Sequence, residues 1–212
     1  MVKLSDEQKR YIKEELKPYL EDDDLVGVLN MLVNHTSTQQ DYDISSGYYR
    51  SSDAPIVFYA PICAFLCEVG VPLLENLDVV PISFCCHVDG LESLHTPSNI
   101  SCIEDWAFCG CSDLKTVTFE EGLKTIKYNA FSRTNLSSVV LPKSLERVCP
   151  GAFAEISHIE VHVQSDVSFS PACFAHSNVD LYVPADILGN DSSNINHFLS
   201  KPRKGKVSLN IV

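Results

Sequence analysis

Residues 102–119 read Cys102-Ile-Glu-Asp-Trp-Ala-Phe108-Cys-Gly-Cys-Ser-Asp-Leu114-Lys-Thr-Val117-Thr-Phe119, and both halves of this stretch recur along the chain. The first half returns as Thr125-Ile-Lys-Tyr-Asn-Ala-Phe131, as Arg147-Val-Cys-Pro-Gly-Ala-Phe153 and, degenerate, as Ser168-Phe-Ser-Pro-Ala-Cys-Phe174. The Phe residues at 108, 131, 153 and 174 are thus 23, 22 and 21 residues apart. The second half returns as Leu136-x-x-Val139-x-Leu141-Pro142, as Ile156-x-x-Ile159-x-Val161 and as Leu181-x-Val183-Pro184. Upstream, Val79-x-x-x-x-Phe84 and Leu91-x-x-Leu94-x-Thr96-Pro97 supply one more copy of each. A repeat of this period signals a stacked architecture.

Each unit reads as one turn of a solenoid. The V-x-L segment alternates in and out, the period of a strand buried on one face. Pro97, Pro142 and Pro184 then end the strand where no ladder donor is lost. A short apolar pair, such as Ile126 with Phe131, fills the opposite wall, and no unit is stable without its neighbours. Inward positions are expected at Phe84, Leu94, Phe108, Leu114, Val117, Phe131, Val139, Phe153, Ile159, Phe174 and Leu181. The middle residues of the strands should form an outward ladder of His95, Thr118, Val140, Glu160 and Tyr182. Glu92, Lys115, Ser138, His158 and Asp180 flank it.

The pattern I-x-x-x-A-F-x-x-C-x-x-L-x-x-V-x-L-P resembles the BspA-like (Treponema-type) leucine-rich repeats of bacteria, their phages and some protists. Phe108-Cys-Gly-Cys-Ser-Asp-Leu114 is the nearest single match. The chain departs from the pattern where Glu104, Lys127 and Cys149 replace its usual Gly. Val71-Pro-Leu-Leu-Glu-Asn-Leu-Asp-Val-Val-Pro81 looks like the lead-in of short bacterial or bacteriophage-encoded members. The resemblance implies a solenoid that binds other macromolecules, and it carries no catalytic residue over.

Residues 1–78 have a different texture. Ser5-Asp-Glu-Gln8 resembles a capping box, and Tyr11, Ile12, Leu16, Tyr19 and Leu20 form one stripe that Pro18 interrupts. Asp24 can cap a second helix carrying Leu25, Val28, Leu29, Leu32 and Val33. Residues 36–54 read as a polar loop, and further helices are expected from Pro61 to Val69 and from Pro72 to Leu77. After the repeats, Asn190-Asp-Ser-Ser-Asn194 reads as a turn and Val207–Val212 as a closing strand. The expected organisation is α+β: an N-terminal helical cap (1–78), about five strand-rich leucine-rich turns of 21–23 residues (79–184) and a C-terminal capping segment (185–212).

Across 212 residues, 28 acidic side chains oppose 16 basic ones, a net charge of −12. This balance disfavours direct nucleic-acid or anionic-lipid binding and favours a basic protein partner. No apolar run reaches the roughly 18 residues of a membrane span, and MVKLSDEQKR lacks a signal-peptide core. Nine cysteines, an odd number, then read as reduced thiols in a cytoplasm, a host's if the chain is phage-encoded. Zinc would draw on close pairs such as Cys63 with Cys67 or Cys109 with Cys111. Neither has the usual C-x-x-C spacing and the histidines are scattered, so no metal and no cofactor are expected. His87 beside Cys85 and Cys86 is the one local Cys/His candidate for nucleophilic chemistry. The phosphate-loop, G-x-S-x-G and H-E-x-x-H signatures are all missing from the sequence.

The functional expectation is a non-catalytic protein-binding module without a small-molecule substrate. Its contact residues are taken as His95, Thr118, Glu160, Asp180 and Tyr182 on the strand face, with Trp106, the single tryptophan, as an anchor. The alternative is a small acidic intracellular inhibitor, phage-encoded in the resemblance, that blocks a basic nucleic-acid-binding surface of a host or defence protein.

Overall fold

The computed structural model describes residues 78–80, 82–88, 90–202 and 205–212. The expected N-terminal helices, Cys63, Cys67 and the 36–54 loop lie outside the described residues. What is described is a parallel β-solenoid. Short strands β1 (Val79–Val80), β3 (Cys102–Ile103), β5 (Thr125–Ile126), β7 (Arg147–Val148) and β9 (Ser168–Phe169) form one sheet in that order. The longer strands are β2 (Ser93–Thr96), β4 (Thr116–Phe119), β6 (Ser138–Leu141), β8 (Ile159–Val163) and β10 (Asn178–Val183). With β11 (Lys206–Ile211) they make a six-stranded sheet in which every pairing is parallel.

The two sheets are the walls of the solenoid, and the alternation seen in the sequence decides what fills it. In β2, β4 and β6 the second and fourth residues are buried and the other two exposed. Every inward residue expected from the sequence is buried. Between the walls runs a column of phenylalanines: Phe108 stacks on Phe131 at 5.3 Å between ring centroids, Phe131 on Phe153 at 5.5 Å, and Phe153 on Phe174 at 6.0 Å. Burying one such side chain contributes about 1.5–3 kcal/mol, and ring–ring contact adds about 0.5–1.5 kcal/mol.

The first turn departs from the expected register. Val80, not Val79, pairs with Ile103. Cys85 donates its N–H to the Ala107 carbonyl just as Phe108 does to that of Ala130, so Cys85 holds the Phe108 place. Phe84 is buried one residue earlier and meets Phe108 edge-on at 6.3 Å.

The turns leaving the short strands use left-handed backbone. Ser83, Trp106, Asn129 and Gly151 take positive φ at one corner, and His87, Gly110, Arg133, Glu155 and His176 at the next. Non-glycine residues enter this region at a cost, which here is offset by regular bonds from each turn to the next, such as Trp106 N–H to the Tyr128 carbonyl at 2.8 Å.

The C-terminal segment closes the column. Two short helices, α1 (Ala185–Leu188) and α2 (Asn194–Leu199), precede β11. Ser193 caps α2 by accepting the Asn196 N–H, and the Asp166 carboxylate accepts the N–H groups of Asn194 and Ile195 at 2.9 and 3.1 Å. This fixes Phe198 against Phe169 and Phe174, at 5.3 and 6.1 Å, as the last ring of the column. The expected closing strand is β11, which pairs with β10 along its whole length.

Candidate functional site

The outward face of the six-stranded sheet carries two rows of side chains. In register, His95 lies beside Thr118, Val140 beside His162, His162 beside Tyr182, and Tyr182 beside Asn210. The second row brings Ser93 beside Thr116, Thr116 beside Ser138, Ser138 beside Glu160, Glu160 beside Asp180, and Asp180 beside Ser208. Glu160 is therefore displaced from its expected place between Val140 and Tyr182, which His162 occupies. The cause is local: Ile156 follows Phe153 by fewer residues than Leu136 follows Phe131, so the apolar pattern fits two residues early.

The displacement groups the charged residues. Glu160 and Asp180 sit on neighbouring strands, about 4.8 Å apart. Asp180 is met by His158 at 3.5 Å and Glu160 by His162 at 3.7 Å. Beside them His162 stacks on Tyr182, rings 4.3 Å apart and 9° from parallel. Val140 is 47% exposed, an apolar spot next to that stack. His162 escaped the sequence reading because the two-residue slip hid it.

Trp106 does not join this face. It stands in the turn after β3, half-buried, edge-on to Tyr128 at 5.8 Å. The Tyr128 N–H donates to Asp105 Oδ1 at 2.9 Å, and the Tyr128 side chain is exposed. Nearby, the buried Glu104 carboxylate holds Lys127 Nζ at 2.8 Å and accepts from the Cys102 thiol at 3.5 Å. Burial, joined by the Glu104 charge, pushes the Cys102 thiol up to about 12, so it stays protonated. For Lys127, burial works against the charge, but the bond to Glu104 wins and holds the ammonium above its ordinary range.

A third group lies between the first two turns. The side-chain donor atoms of Cys86, His87 and Cys109 are all within 4.8 Å of one another. The Cys86 thiol donates to Cys109 and holds it down to about 7, against burial and with help from the Arg133 guanidinium. Cys86, the donor of that bond and half-buried, moves the opposite way. Neither cysteine is in a disulfide.

Among the described residues no helix is long and apolar enough to cross a membrane. Comparison with curated proteins and with solved structures finds no match. The BspA type leucine rich repeat region family matches residues 81–187, in 6 copies. Leucine-rich repeats generally mediate protein–protein interaction, and solenoids of this family are typically non-enzymatic. The repeat period, the paired parallel sheets and the stacked phenylalanine column agree with that match, and the chain belongs to the BspA-type leucine-rich repeat family.

Proposed function

We propose that the chain is a non-catalytic protein-binding module and that its contact surface is the outward face of the six-stranded sheet. The observation that carries this reading is the adjacency of Glu160 and Asp180 beside the His162–Tyr182 stack. Like charges directly opposite on paired strands oppose folding, and the solvent-exposed histidine contacts of Asp180 and Glu160 offset little of that. A basic side chain arriving between them turns that repulsion into attraction, while Tyr182 and Val140 offer aromatic and apolar area.

Size constrains the footprint. Six strands about 4.8 Å apart and four to six residues long span roughly 24 Å by about 13–20 Å. That is below the roughly 800 Å² per partner of a standard interface. The partner therefore extends over the flanking residues Glu92, Lys115 and His158, whose side chains are exposed beside the sheet.

The finer reading is an acidic inhibitor that covers a basic, nucleic-acid-binding surface of another protein. The carboxylate pair and the net charge of −12 favour it. We place this activity in the cytoplasm, where free thiols persist.

The test is quantitative affinity purification from the native cells with wild type, a Glu160→Lys/Asp180→Lys variant and Tyr182→Ala. A partner retained by wild type should be lost from both variants and released by rising salt. Equal retention by all three would place the contact elsewhere.

A further inference from the structure

The geometry points to a metal site: we propose that Cys86, Cys109 and His87 bind one zinc-class divalent cation between the first and second turns of the solenoid. The ligands are the two Sγ atoms and one imidazole nitrogen, with the fourth position left to water. A tetrahedral site with zinc–sulfur bonds near 2.3 Å and zinc–nitrogen bonds near 2.0 Å needs donors about 3.5–3.8 Å apart. The three donors already lie within 4.8 Å. The remaining difference is about 1 Å, the scale of a side-chain rotation.

The backbone beneath the ligands is fixed. The His87 N–H donates to the Cys109 carbonyl at 2.8 Å, and the Cys109 N–H to the Trp106 carbonyl at 3.1 Å. One ligand pair thus straddles a bond that belongs to the repeat itself.

Gly110 supplies an independent observation. The following turns carry Arg133, Glu155 and His176 at this left-handed corner, all with side chains. At Gly110 a Cβ would collide with Nδ1 and Cε1 of His87, because the imidazole lies across the space a side chain would fill. The one glycine in the row is where the ring of the preceding turn leans toward Cys109.

The donor set selects the metal class. Two sulfurs and one imidazole suit zinc and other borderline or soft ions, and disfavour magnesium and calcium, which take oxygen ligands. On binding, both thiols release their protons to solvent, and the two thiolates balance the charge of the dication. Arg133, whose charge reaches Cys109, is itself engaged by Glu155 in a two-pronged contact at 2.9 and 3.2 Å. His87 is exposed and Cys86 half-buried, so an ion can enter from solvent. The consequence is a clip that ties the first turn to the second.

The test uses the full chain, stripped of metal and kept in a phosphine reductant so that no disulfide competes. Cobalt(II) is titrated and then displaced with zinc. One cobalt per chain is expected, with a thiolate-to-cobalt band and the visible bands of a tetrahedral ion. Cys86→Ser, Cys109→Ser and His87→Ala should each weaken cobalt binding by about tenfold or more. Cys102→Ser, Cys149→Ser and the Cys63→Ser/Cys67→Ser pair should leave it unchanged. Zinc should raise the melting temperature of wild type, and raise that of His87→Ala by less at the same zinc concentration. Should a cysteine variant fail to fold, His87→Ala decides, since that side chain is exposed. Absence of a thiolate–cobalt band in wild type, a band that survives both single cysteine variants, or undiminished affinity in His87→Ala overturns the site.

Discussion

Phe131 lies face to face with Phe153, ring centroids 5.5 Å apart and 7° from parallel, and this contact joins the two central turns. Phe131 also stacks on Phe108 and meets Phe119 edge-on at 5.6 Å. Phe131→Ala should cost about 3–5 kcal/mol, the range for a large buried ring. The loss should reach both neighbouring turns, since each repeat is supported only by those beside it. Chemical denaturation checks this, and a stability within about 1 kcal/mol of wild type would show that the column is not what holds the turns together.

Gly151 faces Asn129 at the left-handed corner that these two share with Ser83 and Trp106. Its φ is 73°, and a Cβ there would strike the Asn129 side-chain oxygen. Gly151→Ala should destabilise the protein by about 1–2 kcal/mol from backbone conformation alone, and by more from the collision. Adding Asn129→Gly should recover the collision part and leave the backbone part, so thermal melts of the two variants separate the causes.

The Glu104–Lys127 pair makes a different prediction. Glu104 is buried, so Lys127→Met leaves its charge with no cation beside it and only the weak Cys102 thiol as a side-chain donor, at a cost of about 1–3 kcal/mol given that the lysine is partly exposed. The double variant Glu104→Gln/Lys127→Met should recover most of that loss. If Lys127→Met alone is neutral in a urea melt, water reaches Glu104.

On the strand face, stability and binding should part company. Glu160→Gln removes a like-charge neighbour of Asp180 and should leave stability unchanged or raise it by about 0.2–1 kcal/mol. Binding to a basic partner should weaken. A variant that loses stability while keeping its partner would mean that Glu160 serves the fold.

The repeats were legible because strand alternation and a recurring Phe act together, and neither alone is as specific. What went astray was register. A two-residue slip in β8 keeps Ile159 and Val161 inward, since the side-chain period is two, but carries Glu160 into the wrong row. At β1 the slip was a single residue, and Phe84 stays buried through its own edge-on contact with Phe108. The turn expected at 190–194 is present at Asp191–Ser192, but helix α2 after it was not foreseen: only Ile195 and Phe198 in it are fully buried, too few to show a helical period, and its cap includes Asp166 from a distant turn. Cys86, His87 and Cys109 did not look like ligands for a related reason: the repeat, not a short motif, sets their spacing. Trp106 was singled out as the lone tryptophan at a turn position, but its half-buried place and its neighbour Tyr128, which belongs to the next turn, were visible only in three dimensions.

The central claim, that the six-stranded sheet face is where a partner sits, is tested most directly by site-specific photocrosslinking in the native cells. A photoreactive residue is placed at exposed Val140 on that face, at exposed Arg147 on the opposite sheet, or at Tyr128. A discrete protein adduct should form from position 140 and disappear in the Glu160→Lys/Asp180→Lys background, with none from position 147. An adduct from position 147 or 128 and none from position 140 would contradict the account.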